Sequence, residues 1–192
     1  IRDKEKNRPF FQNLLAGGVI KNLTAAGTYT ALEAQGEGAF ANFARVNLGT
    51  IENCVNNVSG TIETTASTAF GGFVGQNGGV IKDCVNNVAI DVDQVQQNTD
   101  TATSLIYPSA AGFVGYVEAY KTVTSNLSNL TNNAVIDFYD ASYTKKDFNG
   151  PVVPYVAGVA AFFKETNNKY VVKNITNNGA VKLQGHYGQG IT

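Results

Sequence analysis

Few residues in this chain have side chains that could carry out chemistry. His186 is the only histidine. It sits in GHYGQG near the C-terminus, and no Gly-x-Ser-x-Gly elbow occurs anywhere. A Ser-His-Asp or Cys-His site is therefore not expected, and an exposed loop histidine is the simpler reading. Carboxylates are the more serious candidates. Asp91 and Asp137 share one position of a recurring pattern, and Glu63 and Asp93 share another. Two carboxylates at the right separation could hydrolyse a glycosidic bond or bind calcium through oxygen ligands. Lys182 stands at the position of Asp91 and Asp137, which suits a solvated strand face better than a reaction centre. The glycines of Gly71 to Gly79 lack the Lys-Ser/Thr pair of a phosphate-binding loop. No cofactor and no metal ligand set is expected.

Aromatic residues give a different signal. Tyr107, Tyr116, Tyr120, Tyr139, Tyr143, Phe148, Tyr155 and Tyr170 lie in or beside the stretches that interrupt the pattern. Insertions in a repeat gather on one side, often the binding side. Tyrosine rings with polar tips make platforms for sugars or protein partners. The alternative is that these rings merely pack inside the insertions.

The pattern that must position these residues is a repeat. TIENCVNNV at Thr50 to Val58 returns as VIKDCVNNV at Val80 to Val88. Each follows a glycine-aromatic element, GAFANF from Gly38 and GGFVGQNGG from Gly71. AGFVG from Ala111 and NLSNLTNNAVIDF from Asn126 form another copy, and VAGVAA from Val156 with VVKNITNNGAVKL from Val171 another. FQNLLAGGVIKNL from Phe11 is a degenerate first copy. The anchors Asn22, Asn53, Asp83, Asn129 and Asn174 lie 31, 30, 46 and 45 residues apart, so the longer periods carry insertions. Approximate units are 9–35, 36–68, 69–109, 110–154 and 155–192 of one repeat domain.

Within a unit, apolar and polar residues alternate, as Ile90 and Val92 do with Asp91 and Asp93, which predicts strands with one buried face. Asn57, Asn87, Asn133 and Asn178 each close an Asn-Asn step expected to take left-handed angles at a sharp corner. The glycines of Gly72-Phe73 and Gly112-Phe113 are expected to do similar work. A unit of about 30 residues cannot bury its apolar face alone, so copies should stack as parallel strands. Cys54 over Cys84 would then form a buried apolar ladder. Equivalent Cβ atoms would lie near the strand spacing of about 4.8 Å, too far for a disulfide, so two free thiols are expected.

The string GGFVGQNGGVIKDCVNNVAIDV at Gly71 to Val92 resembles the GLUG repeat of bacterial, mainly Bacteroidetes, surface and secreted proteins. It departs in Phe73 for the leucine of that motif and in Val58, Val88 and Ala134 where glycine is frequent. The resemblance implies an all-β, parallel β-solenoid with inserted loops. It also implies a non-catalytic, adhesin-like structural module, extracellular or on the outer cell surface. Partners would be a host or bacterial glycan or another surface protein, reached through the loops. The alternative is a β-helical polysaccharide-degrading enzyme, a glycosidase or lyase using outward carboxylates.

Composition agrees with β structure. Charged residues make up 15% of the chain, below the roughly 25% of ordinary domains, and polar uncharged residues replace them. Net charge is -1, with no basic stripe for nucleic acid. No run of 18 apolar residues exists that could span a membrane. The opening IRDKEKNRPF, without an initiator Met, is expected of a processed chain or an excised fragment with neighbouring domains.

Overall fold

The computed structural model describes residues 9–28, 32–34, 38–64, 68–94, 109–118, 124–140, 154–164 and 170–185. Among them there is no helix, and the strands form four sheets in which every pairing is parallel. The expected all-β, parallel class is met.

Each sheet takes equivalent strands from successive copies. In the order met along one copy, sheet one holds Gly38–Ala41, Thr68–Gly71, Ser109–Ala111 and Tyr155–Ala157. Sheet two holds Phe11–Leu14, Ala44–Asn47, Val74–Asn77, Val114–Val117 and Ala160–Phe163. Sheet three centres on Val19–Lys21, Thr50–Glu52, Val80–Asn86, Ser125–Asn132 and Tyr170–Asn177, with Thr24–Thr28 and Val55–Ser59 beside them. Sheet four holds Leu32–Ala34, Thr61–Thr64, Ile90–Gln94, Ile136–Asp140 and Val181–Gly185. Register follows the repeat, so Ile20, Ile51, Ile81, Leu127 and Val172 are successive partners.

Strict alternation would place Ile81, Asp83 and Val85 on one face. Instead Ile81, Cys84 and Asn86 are buried and Asp83 is exposed. The reason is backbone conformation at the anchor: Asn22, Asn53, Asp83, Asn129 and Asn174 have φ of 57°, 50°, 55°, 54° and 53°. One left-handed residue acts as a bulge and reverses the phase of the alternation, and Asn and Asp are the side chains that tolerate it best. This corrects the expectation that the Asn-Asn step adopts left-handed angles. No residue of that step has a positive φ, and Asn86 is buried while Asn87 is exposed.

The core lies in two clusters. The larger unites sheets two and three: Phe43, Phe73 and Phe113 stack at centroid separations of 4.5 and 4.7 Å. Beside them run Ile51, Ile81, Leu127, Cys54, Cys84 and Leu130. The smaller unites sheets one and four through Phe70, Ala110, Ile62, Ile90, Val92, Ile136 and Phe138. Both cysteines are free and buried, as the ladder argument expects.

At the passage from sheet three to sheet four runs a buried amide ladder. Asn56 Nδ2 donates to Asn86 Oδ1 at 2.8 Å, Asn86 to Asn132 at 2.7 Å and Asn132 to Asn177 at 2.8 Å. Each amide also turns back on its own chain or a neighbour's, as when Asn86 donates to Val88 O at 3.0 Å. A buried amide is costly unless bonded in this way. The glycines before each Phe serve this ladder through close approach, which corrects the left-handed role expected of them, since neither Gly72 nor Gly112 has positive φ. A methyl group on Gly112 would lie 2.4 Å from Gly158 O and 2.6 Å from Asn132 Oδ1. Asn42 holds the position of Gly72 in the second copy and donates to Val58 O at 3.2 Å.

Candidate functional site

Sheet two carries Val46, Gln76, Tyr116 and Phe162 in one register row. Its polar and aromatic members build the richest side-chain cluster among the described residues. Tyr116 is buried beneath Phe162, their rings stacked at 5.4 Å. Tyr155, from sheet one, tilts against the same Phe162 at 5.0 Å and is 39% exposed. One position past the strand ends, Lys164 Nζ pairs with Glu118 Oε1 at 2.6 Å, and Gln76 Nε2 donates to Glu118 Oε2 at 2.8 Å. Tyr170 donates its hydroxyl to Lys164 O, and its ring meets Phe163 edge-on at 5.5 Å.

The electrostatics follow from this packing. Burial, and then the Glu118 carboxylate, push the Tyr116 phenol above its ordinary range. The hydrogen bond to Glu118 raises Lys164. The phenol is thus held neutral and the ammonium charged. Such a half-buried ion pair framed by aromatic rings can hold a polar ligand that also presents an apolar face.

Of the eight aromatic residues singled out by sequence, Tyr116, Tyr155 and Tyr170 converge here. Tyr139 lies apart, on sheet four, and is 44% exposed. Tyr107, Tyr120, Tyr143 and Phe148 lie outside the described residues, as does His186. Sequence reading missed Gln76, Glu118, Phe162, Phe163 and Lys164. A signal for two of them was present, because Glu118 and Lys164 each directly follow register partners, Val117 and Phe163.

The repeat positions are used structurally. Asn57, Asn87, Asn133 and Asn178 form a second, exposed amide ladder with bonds of 3.1, 2.9 and 2.8 Å. Cys54 and Cys84 donate weakly to Glu52 O and Lys82 O, at 3.2 and 3.1 Å. Burial pushes the Cys84 thiol up to about 12, so it is protonated and unreactive at neutral pH.

Asp91 and Asp137 are likewise engaged. They are register partners. Asp91 accepts from Thr61 Oγ1 at 3.0 Å, and Asp137 pairs with Lys182 at 3.4 Å and accepts from Gln184 at 3.2 Å. Asp93 and Glu63 are register partners too. Among the described residues no group of three or more His, Cys, Asp or Glu could hold a metal ion, and no helix could cross a membrane. No known protein family, curated protein or solved structure matches the chain.

Proposed function

We propose that this chain is a non-catalytic β-solenoid module, similar to GLUG repeats, from a bacterial secreted or cell-surface protein, and that it binds a glycan or a protein through its insertion-bearing side. In this reading each copy is one rung and the four parallel sheets are walls built by stacking rungs. What carries the reading is the way the recurrent residues are consumed. The Phe stack, the glycines, the buried asparagines and the cysteines all contact their own equivalents in the next copy. Recurrence is then a requirement of stacking. Specificity falls to residues that do not recur, and Tyr155, Phe163, Lys164 and Glu118 lie in or beside the insertions that the repeat spacing places at roughly Tyr116 to Ser125 and Lys164 to Tyr170, or join the same cluster.

A glycan array and a surface-protein pull-down, run beside a hydrolysis assay on the same polysaccharides, test this function. The expected outcome is binding without turnover, weakened at least about tenfold by Tyr155→Ala together with Lys164→Ala, as loss of an anchoring contact would predict. Turnover abolished by Asp91→Asn or Asp137→Asn would establish the enzyme instead.

A further inference from the structure

The two ends of the stack are unlike. At the first copy, Ala25 and Ala26 are the partners of Asn56 and Asn57, so neither amide row continues, and the inner ladder is closed by Asn42 Nδ2, which donates to Asn56 Oδ1 at 3.4 Å. Ile20, the first residue of its apolar row, is only 7% exposed. At the last copy the same row ends in Val172, which is 50% exposed, whereas the neighbouring outward row is exposed at both ends, Val19 at 57% and Val171 at 38%. The ladders there remain open. Asn177 accepts from Asn132 and donates one hydrogen to Gly179 O at 2.7 Å. Its other hydrogen is of the kind that Asn56, Asn86 and Asn132 give to the next copy. Asn174 and Asn178 donate back to Asn129 and Asn133 at 2.9 and 2.8 Å. Their oxygens accept nothing among the described residues, whereas those of Asn129 and Asn133 do. Among the described residues all four sheets end here on one side, on Tyr155–Ala157, Ala160–Phe163, Tyr170–Asn177 and Val181–Gly185.

An edge strand of eight residues whose outer backbone groups meet no strand among the described residues, and which carries the exposed Val172, is a template for another strand. We propose that this face docks a further rung that lies outside these 192 residues: a strand parallel to Tyr170–Asn177, apolar over Val172 and Ile175, with asparagine over Asn174, Asn177 and Asn178. The surface continues the interface already made between Ser125–Asn132 and Tyr170–Asn177. A second copy of this chain fits less well. Its Ile20 and Leu23 would cover Val172 and Ile175, but its Ala25 and Ala26 would meet Asn177 and Asn178 and leave both unanswered. The inference rests on the stacked-rung part of the proposed function and not on its ligand.

The test joins a second copy of residues 68–94, an uninterrupted unit, to the end of the full chain and follows amide exchange strand by strand. Exchange within 170–177 should slow at least about tenfold, as it does when an edge becomes interior. Changing the appended equivalents of Asn86 and Asn87 to Ala should return most of that protection. If 170–177 exchanges as before while 80–86 and 125–132 are protected, the docking face is refuted and the stacked reading stands. Absence of protection at 80–86 and 125–132 in the unmodified chain would remove the stacked reading and the inference with it. Sedimentation of the unmodified chain gives the remaining outcome. A concentration-dependent dimer that protects 170–177 would make a second copy the occupant and overturn the assignment.

Discussion

Asn86 and Asn87 are neighbours of the same type, and each bonds its equivalents in the copies before and after through nearly the same amide geometry. They differ in surroundings. Asn86 is fully buried at the passage between the two core clusters, and Asn87 is exposed. In water an amide-amide bond replaces two amide-water bonds and gains little. In the interior the alternative is an unsatisfied polar group, costing about 1–3 kcal/mol each. The inner ladder therefore fixes which copy stands over which, and the outer ladder decorates an arrangement already fixed.

The largest expected effect breaks the inner ladder. Asn86→Ala strands the Asn56 amide hydrogen, the Asn132 Oδ1 acceptor and Val88 O, and should cost about 3 kcal/mol or more. Urea unfolding followed by far-UV circular dichroism would measure it. A loss no greater than that of Asn87→Ala would dissolve the distinction between the ladders.

A second test concerns the apolar row that runs beside the inner ladder. The Cys84 thiol rises from 9.0 unfolded to about 12 folded because burial disfavours the thiolate. A raised value means the folded state holds its proton longer. The stabilising contribution is therefore whole below pH 9 and is lost as pH climbs toward 12, by at most about 1.4 kcal/mol per pH unit. Tyr116 and Lys164, both raised, change in the same direction. Cys84→Ala should lose stability at neutral pH through the cavity it leaves, yet show a shallower alkaline decline. Equal slopes for the two proteins between pH 9 and 11 would show that the thiol is not desolvated.

The smaller loss belongs to the outer ladder. Asn87→Ala removes two exposed amide bonds and should cost under about 1 kcal/mol, with unchanged spectra. Measured beside Asn86→Ala, it sets the scale of what burial adds to one and the same contact.

Much of this was legible in the sequence, and the limit is physical. Spacing alone found the anchors at Asn22, Asn53, Asp83, Asn129 and Asn174, because a left-handed residue in each strand restricts its side chain in every copy. It also placed Cys54 over Cys84, since ladder positions share an environment. It did not reveal which of two adjacent asparagines is buried. That depends on the phase reversal at the anchor, which hydropathy cannot register. Nor could it show that Gly112 exists for Asn132, since the two are twenty residues apart and meet only on folding. The aromatic cluster was half visible. Tyr155 and Tyr170 declared themselves by type, but Glu118 and Lys164 matter through a pairing that breaks the repeat.

The finest test uses a third ladder, the one at the anchors, which is exposed and has a natural defect. Asn53 donates to Asn22 at 2.8 Å, Asn129 to Asp83 at 2.7 Å and Asn174 to Asn129 at 2.9 Å. The link between Asp83 and Asn53 is missing because a carboxylate has no hydrogen to donate. Asp83→Asn would supply that donor and keep an oxygen for Asn129, while asparagine tolerates the φ of 55° at least as well. It also gives up a charged acceptor, so the net gain should be about 0.5 kcal/mol, within the range of an exposed hydrogen bond. A rise in urea midpoint with an unchanged slope would confirm that the ladder was one bond short. A fall would mean that Asp83 is held by its charge, and exposed ladders would then have to be judged by electrostatics and not by counting amides.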